Sequence, residues 1–328
     1  MADDAECVVC GTSDYEVLLR SRDRNSHGDI VRCPSCSHTY VNPMPTLEQI
    51  SDYYNGLYSH KSQTFSNEQM ALARQSMRGY VAALQKKSRG AQHCTFLDLG
   101  GGLGYYSQAA KESGMTSTLV DLDPCSIDFA KKHHNLDDYF LGTSEEFAAT
   151  TVNKYDVVFL RHVIEHYLDP RALLQAASNL VSENGVVILE TDNNRGIELL
   201  IRPGSRRWYM DLYKARYHDV TFMSLLQKRP FALDPPRHLH GFSIPNLQRL
   251  LESLNLRSTD SLTYRLGDPV YWPNVPDMKF RQVYAPLVKF NVRAVADNMI
   301  DYCTLPFRKC LAATGHASGL CIYARKAG

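Results

Sequence analysis

The chain has 328 residues, 44% of them hydrophobic, and 36 Lys or Arg against 35 Asp or Glu give it a formal net charge of +1. This length predicts about two domains. The composition argues against a disordered chain, a fibre or a broadly basic nucleic-acid binder. The acidic opening lacks the basic start of a signal peptide, and no uncharged apolar run approaches the roughly 18 residues of a membrane span, so we expect a cytoplasmic protein.

Two Cys-x-x-Cys pairs separated by 22 residues stand near the beginning of the chain: Cys7 with Cys10, and Cys33 with Cys36. Four thiolates at this spacing can close a tetrahedral zinc site. A redox pair is the alternative, but it would need one such motif at the start of a helix beside a strand. We predict a structural zinc ribbon over residues 1–45, with short strands over 17–19 and 29–32, whose folding depends on the metal.

A helical segment is predicted for residues 46–92, after a linker that contains Pro43 and Pro45. Thr46 and Gln49 have the spacing of a capping box. Apolar residues recur at helical spacing from Met70 to Leu84, which indicates packing against a core. We interpret this segment as a helical linker or lid.

From residue 93 to residue 328, strand and helix patterns alternate, which predicts a parallel sheet covered on both faces. The strand candidates are near residues 95–99, 117–121, 139–141, 156–160, 186–191, 257–265 and 320–325. The helix candidates are near 105–113, 125–133, 170–181 and 245–254. Insertions are expected at about 193–244 and 268–318. In the second, the apolar spacing of Leu287, Phe290, Val295 and Met299 predicts a helix over the active site, or alternatively one that binds a membrane surface or a partner.

The segment from Phe96 to Gly104 is a strand that runs into a glycine-rich turn and then a helix. A dinucleotide fingerprint beginning at Gly100 would need a third glycine where Tyr105 stands. The pattern is instead D-x-G-x-G-x-G, and Asp98 in it suits a ligand with an ammonium group, such as S-adenosylmethionine. Asp121, at the end of the next strand, can accept two hydrogen bonds from a ribose diol. The neighbouring candidates are Asp123 as the alternative ribose acceptor and Leu122 as a surface for adenine.

The chain resembles the class I S-adenosylmethionine-dependent methyltransferases over roughly residues 93–328. The segments that match are FLDLGGGLG, LVDLDP, YDVVFLRHVIEHYLDP, NGVVILETDN and RHLHGFSIPNLQRLLESLNL, in the family's order. The ribbon and VNPMPTLEQISDYY are similar to the N-terminal module of a subgroup that acts in glycan and natural-product pathways. The resemblance implies an α/β, Rossmann-like fold with a seven-stranded, mostly parallel sheet and an antiparallel last strand. It also implies a donor site formed by Asp98, Gly100, Gly101, Gly102, Asp121, Leu122, Ser144 and His162.

Four histidines are the candidate catalytic residues, because removing a hydroxyl proton near neutral pH suits a neutral imidazole. His162 and His166 flank Glu165 in an HxxEH segment, whose spacing would place the three on one face of a helical turn. HxxEH is also an inverted zinc-protease signature. Some relatives hold a divalent cation with Glu-x-x-Glu-His, but the first glutamate is replaced here, so we predict a metal-free acceptor site. His238 and His240 are expected on a loop over the acceptor.

The acceptor is predicted to be a small polar molecule, a sugar or a natural-product intermediate, methylated on oxygen. Residues 206–218 are basic and aromatic, which suits an anionic or glycosidic acceptor and equally a surface helix with buried rings. A C- or N-methyltransferase is an alternative. So are a non-catalytic binding protein and an RNA-modifying methyltransferase whose ribbon docks RNA, although the near-zero net charge counts against RNA.

Overall fold

A computed structural model describes residues 6–58, 64–86, 94–201, 203–264, 299 and 303–327. Within these ranges the strands are β1 (Glu16–Leu19), β2 (Asp29–Arg32), β3 (Thr39–Asn42), β4 (Thr95–Leu99), β5 (Thr116–Asp121), β6 (Asp138–Leu141), β7 (Tyr155–Arg161), β8 (Val181–Asp192), β9 (His240–Gly241), β10 (Leu256–Tyr264) and β11 (Gly319–Lys326). Each predicted strand overlaps an observed one.

The larger sheet has seven strands in the order β10-β11-β8-β7-β4-β5-β6. Strands β4 to β8 pair in parallel, and β11 pairs antiparallel with both β8 and β10. The predicted Rossmann-like sheet with an antiparallel last strand is therefore confirmed. Because β4 and β7 are adjacent parallel strands at the centre, the residues that follow them meet at one edge of the sheet.

The helices are α1 (Arg24–His27), α2 (Leu47–Tyr58), α3 (Asn67–Lys86), α4 (Tyr105–Glu112), α5 (Pro124–His133), α6 (Ser144–Thr150), α7 (Pro170–Leu180), α8 (Glu198–Ile201), α9 (Pro203–Arg216), α10 (Phe222–Lys228), α11 (Ile244–Glu252) and α12 (Leu305–Ala313). The predicted capping box is present, because the Gln49 N–H donates to Thr46 Oγ1 and the Thr46 N–H donates to Gln49 Oε1. Helix α6 was not predicted, although Thr143 and Glu146 form a capping box at its start.

Two apolar clusters cover the two faces of the large sheet. On one face, Met77 and Tyr80 of α3 pack with Phe96 of β4 and Phe159 of β7. On the other, the cluster joins β7, β8 and β11 to α7 and α11 and continues to the cysteine-bearing turns of the ribbon. Burial on both faces explains why the central strands are nearly continuous apolar runs.

The ribbon forms a second sheet in the order β1-β2-β3-β9. Its fourth strand, β9, comes from the opposite half of the chain and pairs Tyr40 with His240. The same sheet packs against α9, where Leu18 and Ile30 lie in one cluster with Tyr213 and Tyr217. The N-terminal ribbon therefore positions the segment around residue 240.

The first expected insertion contains α8, α9 and α10. Of the second, α12 is described, whereas Leu287, Phe290 and Val295 lie outside the described residues. Across the described part of the chain, no helix combines the length and apolarity that crossing a membrane would require.

Candidate active site

The glycine turn after β4 has the backbone conformation that its sequence predicts. Gly100, Gly102 and Gly104 have φ of 69°, 55° and 76°, the left-handed region that favours glycine. A Cβ on Gly101 would lie 2.5 Å from the Asp98 carboxyl group, whereas a Cβ on Gly102 would have no neighbour within 4 Å in the part of the chain that the structure describes. The turn is therefore packed from below and open above Gly102, where a ligand can approach the backbone.

Asp98 and Asp121 frame this open turn. Asp98 is 1% exposed and accepts a hydrogen bond from Ser107 Oγ at 2.7 Å. Burial raises the pKa of Asp98 to about 7, although the Ser107 hydrogen bond opposes the shift. Asp121 accepts from the Gly102 N–H at 2.8 Å and from the Asp123 N–H at 2.9 Å, so its carboxylate reaches the turn.

The neighbouring candidates have distinct environments. Leu122 is 65% exposed. Asp123 caps α5 by accepting from the N–H groups of Cys125 and Ser126, which occupies the alternative ribose acceptor. Ser144 is buried in the first turn of α6, and its Oγ accepts a hydrogen bond from the Tyr167 hydroxyl at 3.4 Å.

The HxxEH segment follows β7, the strand beside the glycine turn. Residues Ile164–His166 form a short 3-10 helix rather than the predicted α-helical turn. His162 has φ of 52°, and its Nδ1 lies 2.9 Å from Glu165 Oε1 and 3.4 Å from Asp192 Oδ1. Glu165 is fully buried, and its Oε2 has no hydrogen-bond partner among the described residues. Burial alone would raise the pKa of Glu165, but the hydrogen bond and charge of His162, together with His166 and His238, lower it.

His166 and His238 face each other with ring centroids 4.6 Å apart. The Nδ1 of His166 lies 2.9 Å from the Arg237 carbonyl oxygen, and the Nδ1 of His238 lies 3.0 Å from that of Ala232. A carbonyl oxygen only accepts, so each Nδ1 carries the proton and each Nε2 keeps a lone pair. Burial lowers the pKa of His166, and it lowers that of His238 to about 3. Both imidazoles are therefore neutral bases at pH 7.

The structure does not bring His240 to this pair. His240 is 1% exposed, and its Nδ1 lies 3.1 Å from Nε2 of the buried His38. The two rings stack at 5.3 Å, and Phe242 packs beside them. This histidine lies at the junction of the ribbon and the large sheet.

A cavity of about 400 Å³ opens beside His238. It is lined by side chains that are mostly polar or aromatic: Asp192, Ser205, Trp208, Tyr209, Ala232, Leu233, Asp234, Arg237 and His238. Asp234 forms ion pairs with Arg216 at 2.7 Å and with Arg237 at 3.2 Å. The cavity can therefore hold a polar molecule of modest size against an aromatic wall.

Sequence reasoning missed several residues of this region. Asp192 is the last residue of β8, which lies beside β7. Its place at the end of a predicted strand was the signal that could have assigned it to the site. The hydroxyl oxygen of Tyr54, in α2, lies 3.1 Å from the Nδ1 of His166, a contact that no local sequence pattern indicates. Arg161 pairs with the buried Glu190 at 3.1 Å and lies 4.6 Å from the centroid of the Tyr106 ring.

The four ribbon cysteines lie together. Cys7 Sγ is 3.5 Å from Cys36 Sγ, and Cys10 Sγ is 3.4 Å from Cys33 Sγ, so the thiols are not joined as disulfides. All four sulfur atoms lie within 4.8 Å of one another. Among the described residues, two groups of three around the histidine pair have ligand atoms equally close: Glu165, His166 and His238, and His162, Glu165 and Asp192.

The family model of the methyltransferase domain matches residues 66–260, more than half of the chain. The chain belongs to the S-adenosylmethionine-dependent methyltransferases. The ubiquinone biosynthesis O-methyltransferase of Klebsiella pneumoniae (strain 342) is 31% identical over 146 residues, which are 43% of this chain and 59% of that protein. The protein of the same name from Escherichia coli (strain K12 / DH10B) is 30% identical over 43% of this chain and 60% of its own length. This methyltransferase therefore matches about three fifths of the length of these relatives.

A solved S-adenosylmethionine-dependent methyltransferase of Archaeoglobus fulgidus superposes with a TM-score of 0.48 and 16% identity, over 84% of this chain and 99% of that one. The methyltransferase described here has its glycine turn, its histidine pair and its cavity at the edge of the sheet where β4, β7 and β8 end.

Proposed function

We propose that this methyltransferase transfers a methyl group from S-adenosylmethionine to a small polar acceptor that binds in the cavity beside His238. The observation that supports this most strongly is the pair His166 and His238, because each Nδ1 lies against a carbonyl oxygen and leaves Nε2 with a lone pair. His166 follows β7, the strand beside β4 and its glycine turn. An oxygen acceptor is favoured, because a hydroxyl must lose a proton and a neutral imidazole can take it.

The donor fits the residues around the turn. The bound donor supplies a methyl carbon on a positively charged sulfur, which leaves as a neutral thioether. In the proposed site, Asp121 accepts from the ribose, Leu122 covers the adenine with Ser144 close by, and Gly100, Gly101 and Gly102 let the backbone approach. Asp98 faces the ammonium group, whose charge would lower the pKa that burial has raised.

The acceptor side then has two tasks, alignment and proton removal. Trp208 and Tyr209 provide a wall, and Asp192, Asp234 and Arg237 offer hydrogen bonds to hydroxyl groups. The acceptor oxygen would bond to the methyl carbon as the carbon–sulfur bond breaks, and its proton would pass to Nε2 of His166, because a pKa of about 3 makes His238 the weaker base. His162 holds Glu165 and Asp192 in place, and its backbone N–H donates to the Glu190 carbonyl at 2.9 Å.

We also propose that Cys7, Cys10, Cys33 and Cys36 bind one structural zinc ion. Tetrahedral Zn–S bonds of about 2.3 Å place sulfur atoms about 3.8 Å apart, close to the separations of 3.4 and 3.5 Å between the paired thiols. The zinc would stabilise the ribbon of residues 1–45. In the chain, the helical segment 46–92 would connect this ribbon to the catalytic domain 93–328. Strand β3 of the ribbon would hold β9 through the pairing described above.

The function is tested by incubating the chain with methyl-labelled S-adenosylmethionine and pools of sugars and natural-product intermediates. Mass spectrometry should find a labelled acceptor, and cleavage of the product should place the label on oxygen. Label on carbon or nitrogen would change the reaction type, and no label in any pool together with donor binding would indicate a binding protein without catalysis.

A pH profile tests the histidine base. We expect kcat/KM to stay constant as the pH falls through the ordinary histidine pKa of about 6.5 and to decrease only at lower pH, because burial lowers the pKa of His166. His166→Gln should reduce the rate roughly 100-fold, within the usual range for general-base catalysis. His133→Gln, at an exposed histidine of α5, is the matched control and should keep the profile.

The same assay separates a metal-free site from a catalytic cation. Glu165, Asp192, His162 and Arg237 surround the histidine pair, and the carboxylates there could also ligate Mg²⁺ or Mn²⁺. On the metal-free proposal, activity survives a mild chelator that leaves the zinc content unchanged. Chelator-sensitive activity restored by Mg²⁺ or Mn²⁺ would show that the HxxEH segment binds a catalytic metal.

A further inference from the structure

Helices α9 and α10 present a surface that the proposed reaction does not use. We call it the α9–α10 surface, made of Arg206, Lys214, Phe222, Met223 and Leu226. Among the described residues, four of the eleven large apolar side chains that are exposed lie between positions 208 and 226. Phe222, Met223 and Leu226 are 42%, 55% and 37% exposed, although each belongs to a helix of only seven residues whose Leu225 is fully buried. Exposed apolar side chains that adjoin one another mark an interaction site more often than chance exposure.

A groove runs between these helices, with a volume of about 420 Å³. Its lining combines three cations and one carboxylate with two apolar side chains: Arg206, Arg207, Met210, Asp211, Lys214 and Phe222. The Arg206 guanidinium lies 5.9 Å from the centroid of the Phe222 ring, so the charge and the apolar surface are adjacent. A ligand for this groove needs both an anionic group and an apolar part.

The charge of the segment differs from that of the chain. Residues 203–229 contain six Lys or Arg and two Asp, whereas the whole chain has a net charge of +1. This local excess is on the same helices as the exposed apolar residues. Cations next to exposed apolar side chains are complementary to an anionic membrane surface. Such a surface attracts the cations and accepts the apolar groups below its headgroups.

We propose that the α9–α10 surface binds the surface of an anionic lipid bilayer, with Phe222, Met223 and Leu226 inserted at the acyl boundary and Arg206 and Lys214 on headgroup phosphates. The apolar side chains are exposed together on a short helix and can insert as one group, whereas a nucleic acid would offer them no apolar counterpart. The opposite flank of α9 lines the acceptor cavity through Ser205, Trp208 and Tyr209. The binding itself does not depend on the proposed reaction.

Vesicle co-sedimentation of the full chain tests this proposal. We expect binding to vesicles of phosphatidylcholine with 30% phosphatidylglycerol, little binding to phosphatidylcholine alone, and weaker binding as salt increases. Phe222→Ser with Met223→Ser should weaken binding roughly tenfold by removing the inserted groups, and Arg206→Gln with Lys214→Gln roughly tenfold by removing two headgroup contacts.

Matched substitutions elsewhere control for general surface effects. Val152→Ser removes an apolar side chain that is 92% exposed, and Lys131→Gln with Lys132→Gln removes two exposed cations of α5; both variants should bind like the unmodified chain. Equal binding to both vesicle types, or unchanged binding by the α9–α10 variants, would overturn the proposal. A dimer that light scattering detects and that Phe222→Ser dissociates, without vesicle binding, would assign the surface to a second copy of the chain instead. Free inorganic phosphate, added at the concentration of lipid phosphate, should not compete measurably if the bilayer is the partner.

Discussion

Replacing Cys7 and Cys33 with serine is expected to remove the bound zinc and to unfold the ribbon. Structural zinc contributes apparent binding free energies of about 10–16 kcal/mol in small zinc-finger peptides, and two thiolates cannot complete the tetrahedral site. The zinc content measured by metal analysis should fall from about one ion per chain to well under about 0.1. Thermal unfolding should begin at a lower temperature, because the ribbon packs on α9 through Leu18, Ile30 and Tyr213.

Cys125→Ser with Cys303→Ser is the matched control, since it also removes two thiols but from exposed positions outside the cluster. Its zinc content and unfolding temperature should equal those of the unmodified chain. Full zinc content in the Cys7→Ser, Cys33→Ser variant would refute the assignment of the four cysteines. Loss of zinc without any change in unfolding would instead refute the structural role.

Asp121→Ala is expected to weaken the binding of S-adenosylhomocysteine by about 1.5–3 kcal/mol, the range for hydrogen bonds to a charged group. That is roughly 10- to 150-fold in the dissociation constant. The carboxylate lies at the end of β5 and holds the Gly102 N–H at 2.8 Å, so the substitution removes the ribose contact and loosens the turn. Isothermal titration calorimetry measures the change.

Asp128→Ala separates this effect from a general loss of charge, because Asp128 is exposed on the neighbouring helix α5. Its affinity should match that of the unmodified chain. An unchanged affinity in Asp121→Ala would contradict the proposed ribose contact, provided that the variant's unfolding temperature shows it to be folded.

The large sheet could be predicted from the sequence because its determinants are local. β4 was predicted at its observed bounds, since an apolar run ends there in a glycine-rich turn in which Gly100, Gly102 and Gly104 take positive φ. Asp123 and Asp169 each precede a proline and cap α5 and α7, so the starts of these two helices could also be predicted from the sequence. Helix α6 was missed because it is short, and only its capping box distinguishes it from a loop.

The candidate site was less predictable because its contacts join distant parts of the chain. The spacing of HxxEH indicated a helical turn, but the observed 3-10 geometry depends on Leu239, whose N–H donates to the Glu165 carbonyl at 2.8 Å. His238 and His240 looked equivalent in sequence. The strand pairing of Tyr40 with His240 directs His240 to the ribbon and leaves His238 beside His166.

Calorimetric titration of the unmodified chain with S-adenosylhomocysteine and, separately, with NAD tests the central claim most directly. The glycine turn and the two aspartates predict one site for S-adenosylhomocysteine and no measurable heat with NAD, because Tyr105 stands where a dinucleotide fingerprint needs glycine. Tight binding of NAD without binding of S-adenosylhomocysteine would contradict the account.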